Sequence, residues 1–231
     1  MKSVLITGGT VRLGVAIAER LRADGWRVLT SSHRADAGAD IVADLAEPMG
    51  PAKLYAAAMK LLDGNPPDAL VNNAALFTGD AAAIAAVNLE SPKKLTMLMA
   101  GREAGVGAVV NILDSVILGT LESTGLRGAT LSDPNSTLND HTRPYLASKR
   151  ELAAFTRSSA ATFAATLRVN AVAPGPVLAP TDVHVKAGET LLARRPTPDD
   201  VAAAVSYLLD AESTTGVVIP VDAGQHLISE K

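Results

Sequence analysis

Tyr145 and Lys149 stand one helical turn apart in Tyr145-Leu146-Ala147-Ser148-Lys149. Residues at i and i+4 share a helix face. An ammonium group beside a phenol lowers the phenol's pKa. Such a phenol can exchange a proton with a carbonyl or an imine while hydride is transferred. A second candidate is Asp114-Ser115, which follows the apolar run Ala108 to Leu113, broken only by Asn111. In an open parallel sheet, ligands bind beyond the carboxyl ends of the strands. Asp114 and Ser115 would sit at such an end. These groups gain weight only if the rest of the chain builds a site around them.

The first fourteen residues set that context. Val4, Leu5 and Ile6 form a short apolar run that breaks into Gly8-Gly9-Thr10-Val11-Arg12-Leu13-Gly14. A buried strand, a Gly-rich turn and a helix make the first half of a dinucleotide-binding βαβ unit. Gly8 and Gly14 allow a tight turn, and the helix N-terminus receives a pyrophosphate. The middle glycine of the T-G-x-x-x-G-x-G pattern is replaced by Arg12. A helix is expected from Leu13 to Asp24, with Gly25 as its stop, and a second strand from Trp26 to Thr30. An NAD-selective site wants a carboxylate at the end of that strand. Here the residues are Ser31-Ser32-His33-Arg34, with no carboxylate before Asp36. Arg34 suits a 2′-phosphate and Arg12 adds a second positive charge, so the expected cofactor is NADP(H).

Further strands are expected over 40–43, 68–71 and 108–113. Asp44, at the end of the first of these, could accept from an adenine amino group or could cap a turn. Asn72-Asn73-Ala74-Ala75 ends the second. A helix is expected over 53–62. A long one over 80–104 should break near Ser91-Pro92, with Asn88 marking a kink, because proline sits badly inside a helix. The stretch 116–143 is rich in Gly, Ser, Thr, Asn and Asp, and long for a connection inside a domain; such loops are usually functional or mobile. An Ala-rich helix follows from Tyr145 to about Phe163.

Composition bounds the rest. The 231 residues are 48% hydrophobic and 19% charged, with net charge −3 and no cysteine. That length fits one large α/β domain or two small ones. The charge argues against a general nucleic-acid footprint. Without cysteine there is neither a disulfide framework nor a thiolate metal site. No signal peptide and no transmembrane run is read, so a cytoplasmic protein with no membrane partner is expected. His33, His141, His184 and His226 lack metal-ligand spacing, and no metal is expected.

Taken together, the motifs resemble the short-chain dehydrogenase/reductases over nearly the whole chain. Thr7 to Gly14 matches the family's cofactor turn, Asp44-Leu45 its adenine-side position, and Asn72-Asn73-Ala74-Ala75 its N-N-A-G motif with Ala75 in place of Gly. Asn88 matches the tetrad Asn, and Tyr145 and Lys149 match Y-x-x-x-K. Leu167 to Gly175 matches the sixth strand and its Pro174-Gly175 turn, and Pro198-Asp199-Asp200 and Gly216 to Gly224 match the C-terminal helix and last strand. The resemblance implies one doubly wound α/β Rossmann-like domain over 1–231, with a seven-stranded parallel sheet flanked by helices. It also implies assembly as a homotetramer or homodimer.

It further implies catalytic roles for Asn88, Asp114, Tyr145 and Lys149. Cofactor contacts are implied at Gly8, Thr10, Arg12, Leu13, Gly14, His33, Arg34, Asp44, Leu45, Asn73, Ala74, Ala75, Tyr145, Lys149, Pro174 and Gly175. Asp114, Ser115, Pro176 and Val177 fall on the substrate side. Three local features resemble the pteridine and dihydromonapterin reductases: Asp114 where the wider family has Ser, Val11-Arg12-Leu13-Gly14 in the turn, and His33-Arg34 after the second strand. A carboxylic acid beside Tyr145 could relay a proton to a ring nitrogen. The expected reaction is NADPH-dependent reduction of a C=N or C=O bond, in a dihydropterin or related cyclic imine. The alternatives are a ketone or 3-oxoacyl substrate with Asp114 a local exchange with Ser115, a non-redox use of the fold, and an NADP-binding sensor without catalysis. The stretch 116–143 reads as an insertion near the active-site mouth, and Ala179 to Leu191 as a shortened substrate loop.

Overall fold

All five residues of β1 (Ser3–Thr7) are buried, as expected of a parallel strand covered on both faces. The computed structural model describes residues 1–103, 105–118, 142–177 and 190–227. The other strands are β2 (Arg27–Ser32), β3 (Ile41–Val42), β4 (Ala69–Asn72), β5 (Gly107–Ile112), β6 (Leu167–Pro174) and β7 (Val218–Val221). They form one parallel seven-stranded sheet in the order β3-β2-β1-β4-β5-β6-β7. The chain reverses its direction of winding between β1 and β4. That topological switch leaves a crevice at the carboxyl ends of the strands.

Alternation along the strands feeds two cores. Val4, Ile6, Val71 and Val110 face α1 (Leu13–Ala23) and the last helix, α6 (Pro198–Asp210), through Ile17, Leu21, Val205 and Leu208. Leu5, Leu70, Val109 and Val169 face the other layer through Leu54, Tyr55, Leu95 and Met99. That layer holds α2 (Gly50–Leu61), α4 (Ser91–Ala100) and α5 (Thr142–Thr162). Truncating one such leucine to alanine costs about 2–5 kcal/mol. A buried polar ladder ties the sheet to α5. The Asn72 amide donates to Asn111 Oδ1 at 2.8 Å, and the Asn111 amide donates to Thr156 Oγ1 at 2.9 Å.

The helix expected over 80–104 is three pieces: α3 (Ala81–Ala85), a π turn (Ala86–Glu90) and α4. The wide turn absorbs Pro92, which has no N–H to give and falls in the first turn of α4. α2 starts earlier than expected, at Gly50, because the fixed φ of Pro51 suits a first helical turn. β3 is shorter than expected. Asp40 accepts from the Thr30 amide and hydroxyl, both at 2.7 Å, rather than joining the ladder. Of the stretch 116–143, residues 119–141 lie outside the described residues. Ile117 and Leu118 pack into a third core beside Tyr145 and Leu146.

Candidate active site

The Gly-rich turn is braced from β4. Thr7 Oγ1 accepts from the Asn73 and Ala74 amides, both at 3.0 Å, and the Asn73 side chain donates to the Thr7 and Gly8 carbonyls at 3.0 Å. A Cβ at Gly14 would overlap the Gly8 carbonyl oxygen. Gly8 turns at φ +63. Arg12, at the start of α1, also takes a positive φ, +51. A side-chain-bearing residue in that region costs about 1–3 kcal/mol. Thr10 Oγ1 is buried without a hydrogen-bond partner. A buried polar atom without a partner is costly, and this one lies where the helix N-terminus collects anions. The turn therefore fits a dinucleotide.

The adenine-side residues are less committed. Arg34 forks onto Asp36, and the pair is exposed. His33 is exposed beside them. Asp44 is exposed and its Oδ1 accepts from the Ala46 amide at 2.8 Å, the turn-capping role. Leu45 is buried, and its carbonyl accepts from Ser91 Oγ at 2.7 Å.

α5 and β5 bring the chemistry together. Tyr145 Oη donates to Asp114 Oδ2 at 2.9 Å. Asp114 Oδ1 accepts from the Val116 amide at 3.0 Å, which fixes the carboxylate. Lys149 is buried, and its Nζ donates to the Ile112 carbonyl at 2.8 Å. The Lys149 ammonium lies 5.7 Å from the centre of the Tyr145 ring. Burial lowers the Lys149 pKa to about 8, against the opposing pull of the Asp114 charge. The expected lowering of the Tyr145 pKa is not found. Burial, then the charge and hydrogen bond of Asp114, push it well above the usual tyrosine value. The phenol is thus held as an acid, with its proton toward Asp114.

Asn88 sits in the π turn. Its Oδ1 accepts from the Leu76 amide at 2.7 Å, and its amide donates to the Leu76 carbonyl at 2.9 Å and to Ser148 Oγ at 3.2 Å. Ser148 Oγ in turn donates to the Tyr145 carbonyl at 2.6 Å. Asn88 therefore locks the loop after β4 to the helix that carries Tyr145. Ser115 points elsewhere. It is buried, with its hydroxyl 3.3 Å from Gln225 Oε1. Gly175 donates to the Val221 carbonyl at 3.0 Å, and a Cβ there would come within 2.6 Å of Asp222 Cβ. Pro176 is half-buried, and Val177, like Leu13, packs against the core beneath α1.

The family profile described as enoyl-(acyl carrier protein) reductase matches residues 11–226. Galactitol 2-dehydrogenase of Rhizobium johnstonii is 31% identical over 228 residues, 91% of this chain and 84% of that protein. The chain is a short-chain dehydrogenase/reductase. As its dehydrogenase and reductase relatives indicate, it is an NAD(P)-dependent oxidoreductase. Among solved structures, FolM alternative dihydrofolate reductase 1 of Brucella canis, complexed with NADP, superposes with TM-score 0.80. It is 31% identical and covers 100% of this chain and 96% of its own. A blue fluorescent protein from a metagenomic library, in complex with NADPH, reaches TM-score 0.78 at 27% identity, over 96% and 97% of the two chains.

Two features of this short-chain dehydrogenase/reductase escaped the sequence reading. Phe77 packs edge-on against Tyr145, ring centres 4.9 Å apart, yet leaves 56% of its surface exposed. An aromatic residue shortly after the paired asparagines was its only signal. The second is that His226 pairs with a buried carboxylate. Its Nδ1 lies 2.8 Å from Asp222 Oδ2, and Asp222 is buried behind Gly175. The contact between Asp222 and the Gly175 position has no local signature in the sequence. His141 and His184 lie outside the described residues, as do 178–189 of the loop after β6. Among the described residues no helix is long and apolar enough to cross a membrane.

Proposed function

We propose that this short-chain reductase uses NADPH to reduce a C=N bond of a dihydropterin or related cyclic imine. The carrying observation is the 2.9 Å hydrogen bond from Tyr145 Oη to Asp114 Oδ2. A nicotinamide cofactor supplies hydride to carbon. The chain must then supply one proton to nitrogen. Tyr145 holds its proton as a buried acid, and the Asp114 carboxylate orients the ring nitrogens or passes a proton on to them. Phe77 offers an exposed aromatic face beside the acid, against which a flat heterocycle can stack. Lys149 steadies the cofactor ribose. Thr10 and Arg12 hold phosphate groups, and Arg34 takes the 2′-phosphate. Similarity to FolM, crystallised with NADP, supports both the cofactor and the substrate class. By family resemblance the chain acts as one domain in a cytoplasmic homotetramer or homodimer.

A second reading is reduction of a ketone, or oxidation of the matching alcohol. It is favoured by the similarity to galactitol 2-dehydrogenase. In it Tyr145 protonates a carbonyl oxygen and Asp114 is a local replacement of serine. NADPH oxidation against dihydrobiopterin, dihydromonapterin, cyclic imines and 3-oxoacyl esters, with NADH in parallel, separates the two. Turnover of a pterin with NADPH supports the proposal. Turnover of ketones alone overturns it in favour of the second reading.

A further inference from the structure

The loop after β2 holds its arginine in a closed grip. Arg34 Nε donates to Asp36 Oδ1 at 3.0 Å and Nη2 to Oδ2 at 2.7 Å. The backbone supports the pairing. Ser32 Oγ accepts from the Arg34 amide at 3.1 Å, Arg34 is extended, and Asp36 lies in a short 3-10 turn, Ala35–Ala37. Gly38 closes that turn at φ +66. A guanidinium has one planar fork that matches a carboxylate or a phosphate with two parallel bonds. Here Asp36 takes the bonds that a phosphate would need.

We propose that Asp36 is an internal competitor for Arg34. It occupies the guanidinium when the cofactor is away and sets how strongly this chain prefers NADP(H) over NAD(H). The inference rests on the reading of Arg34 as the 2′-phosphate ligand. It adds a residue that acts through Arg34 and against binding. The pair must open before a phosphate can take the guanidinium, and an exposed pair is worth up to about five-fold in an equilibrium. NADH lacks that phosphate and leaves the grip undisturbed.

The test is cofactor binding by the full chain, read by titration calorimetry and NADPH fluorescence, with no turnover required. Asp36→Asn keeps the size of the side chain and removes its charge. It should tighten NADPH about two- to five-fold and change NADH by less than two-fold. In an Arg34→Ala background the same substitution should change NADPH by less than two-fold, since the partner it acts through is gone. Asp36→Ala should reproduce the gain. The proposal is overturned if NADPH binding is unchanged or weaker in Asp36→Asn, or if NADPH and NADH tighten equally. It is also overturned if the gain persists without Arg34. If Arg34→Ala alone leaves the NADPH-to-NADH affinity ratio unchanged, Arg34 is not the phosphate ligand and both readings fall. If that ratio collapses while Asp36→Asn is silent, only the competitor role falls.

Discussion

Burial of Lys149 should write itself into the pH dependence of stability. The side chain is 3% exposed, and burial lowers its pKa from 10.5 to about 8, partly offset by Asp114. In the unfolded chain the ordinary value returns. Below pH 8 both states carry the proton, and the folded state bears the full cost of burying an ammonium. Between pH 8 and 10.5 the unfolded chain keeps its proton while the folded chain has lost it. Stability therefore rises with pH across this window, by up to about 1.4 kcal/mol per pH unit. From pH 7 to pH 10 the gain comes to about 2–3 kcal/mol. Tyr145 is shifted upward and works in the opposite direction above pH 10, so the comparison stops there. The control is Lys149→Met, which fills similar volume without a charge. Urea unfolding followed by circular dichroism, on both proteins at pH 7, 8, 9 and 10, gives the two curves. The wild type should gain about 2–3 kcal/mol on the variant over that range. Parallel curves would refute the claim that Lys149 is buried as a depressed ammonium.

Tyr145→Phe should lower turnover by about 10²–10⁴ while NADPH affinity by fluorescence titration changes less than two-fold. Loss of NADPH binding in that variant would place Tyr145 in the cofactor site rather than at the reacting bond. Asn111→Ala should cost about 2–3 kcal/mol in chemical denaturation, because it leaves the buried Asn72 amide without its acceptor and opens a void at the foot of α5. A cost below about 0.5 kcal/mol would show that the ladder from Asn72 to Thr156 contributes nothing net.

Much of this architecture is legible in the chain because it repeats. β1, β4, β5 and β6 are apolar runs, and the Gly-rich turn declares its own geometry through residues that tolerate no Cβ. Pro92 announces the break that the π turn makes. Other features are set by long-range packing and leave no local trace. Asp114 rather than Ser115 meets Tyr145, while the serine hydroxyl faces Gln225, distant in sequence. The upward shift of Tyr145 depends on burial by α5 and its neighbours, so Y-x-x-x-K alone gives the wrong sign. The spacing of Arg34 and Asp36 shows that they can meet, but not that they grip each other. The sequence leaves Asp44 between adenine contact and turn cap, and one of its oxygens accepts from the Ala46 amide.

The most direct test of the Tyr145–Asp114 pair is Asp114→Ser, the residue usual in the family at this position. Steady-state kinetics would be measured on a dihydropterin and on a 3-oxoacyl ester with NADPH. If Asp114 serves a ring nitrogen, kcat/KM for the pterin falls about 10²–10⁴-fold while the ester is unchanged or improved. Equal retention of pterin turnover by the serine variant would contradict the account and leave Tyr145 acting alone.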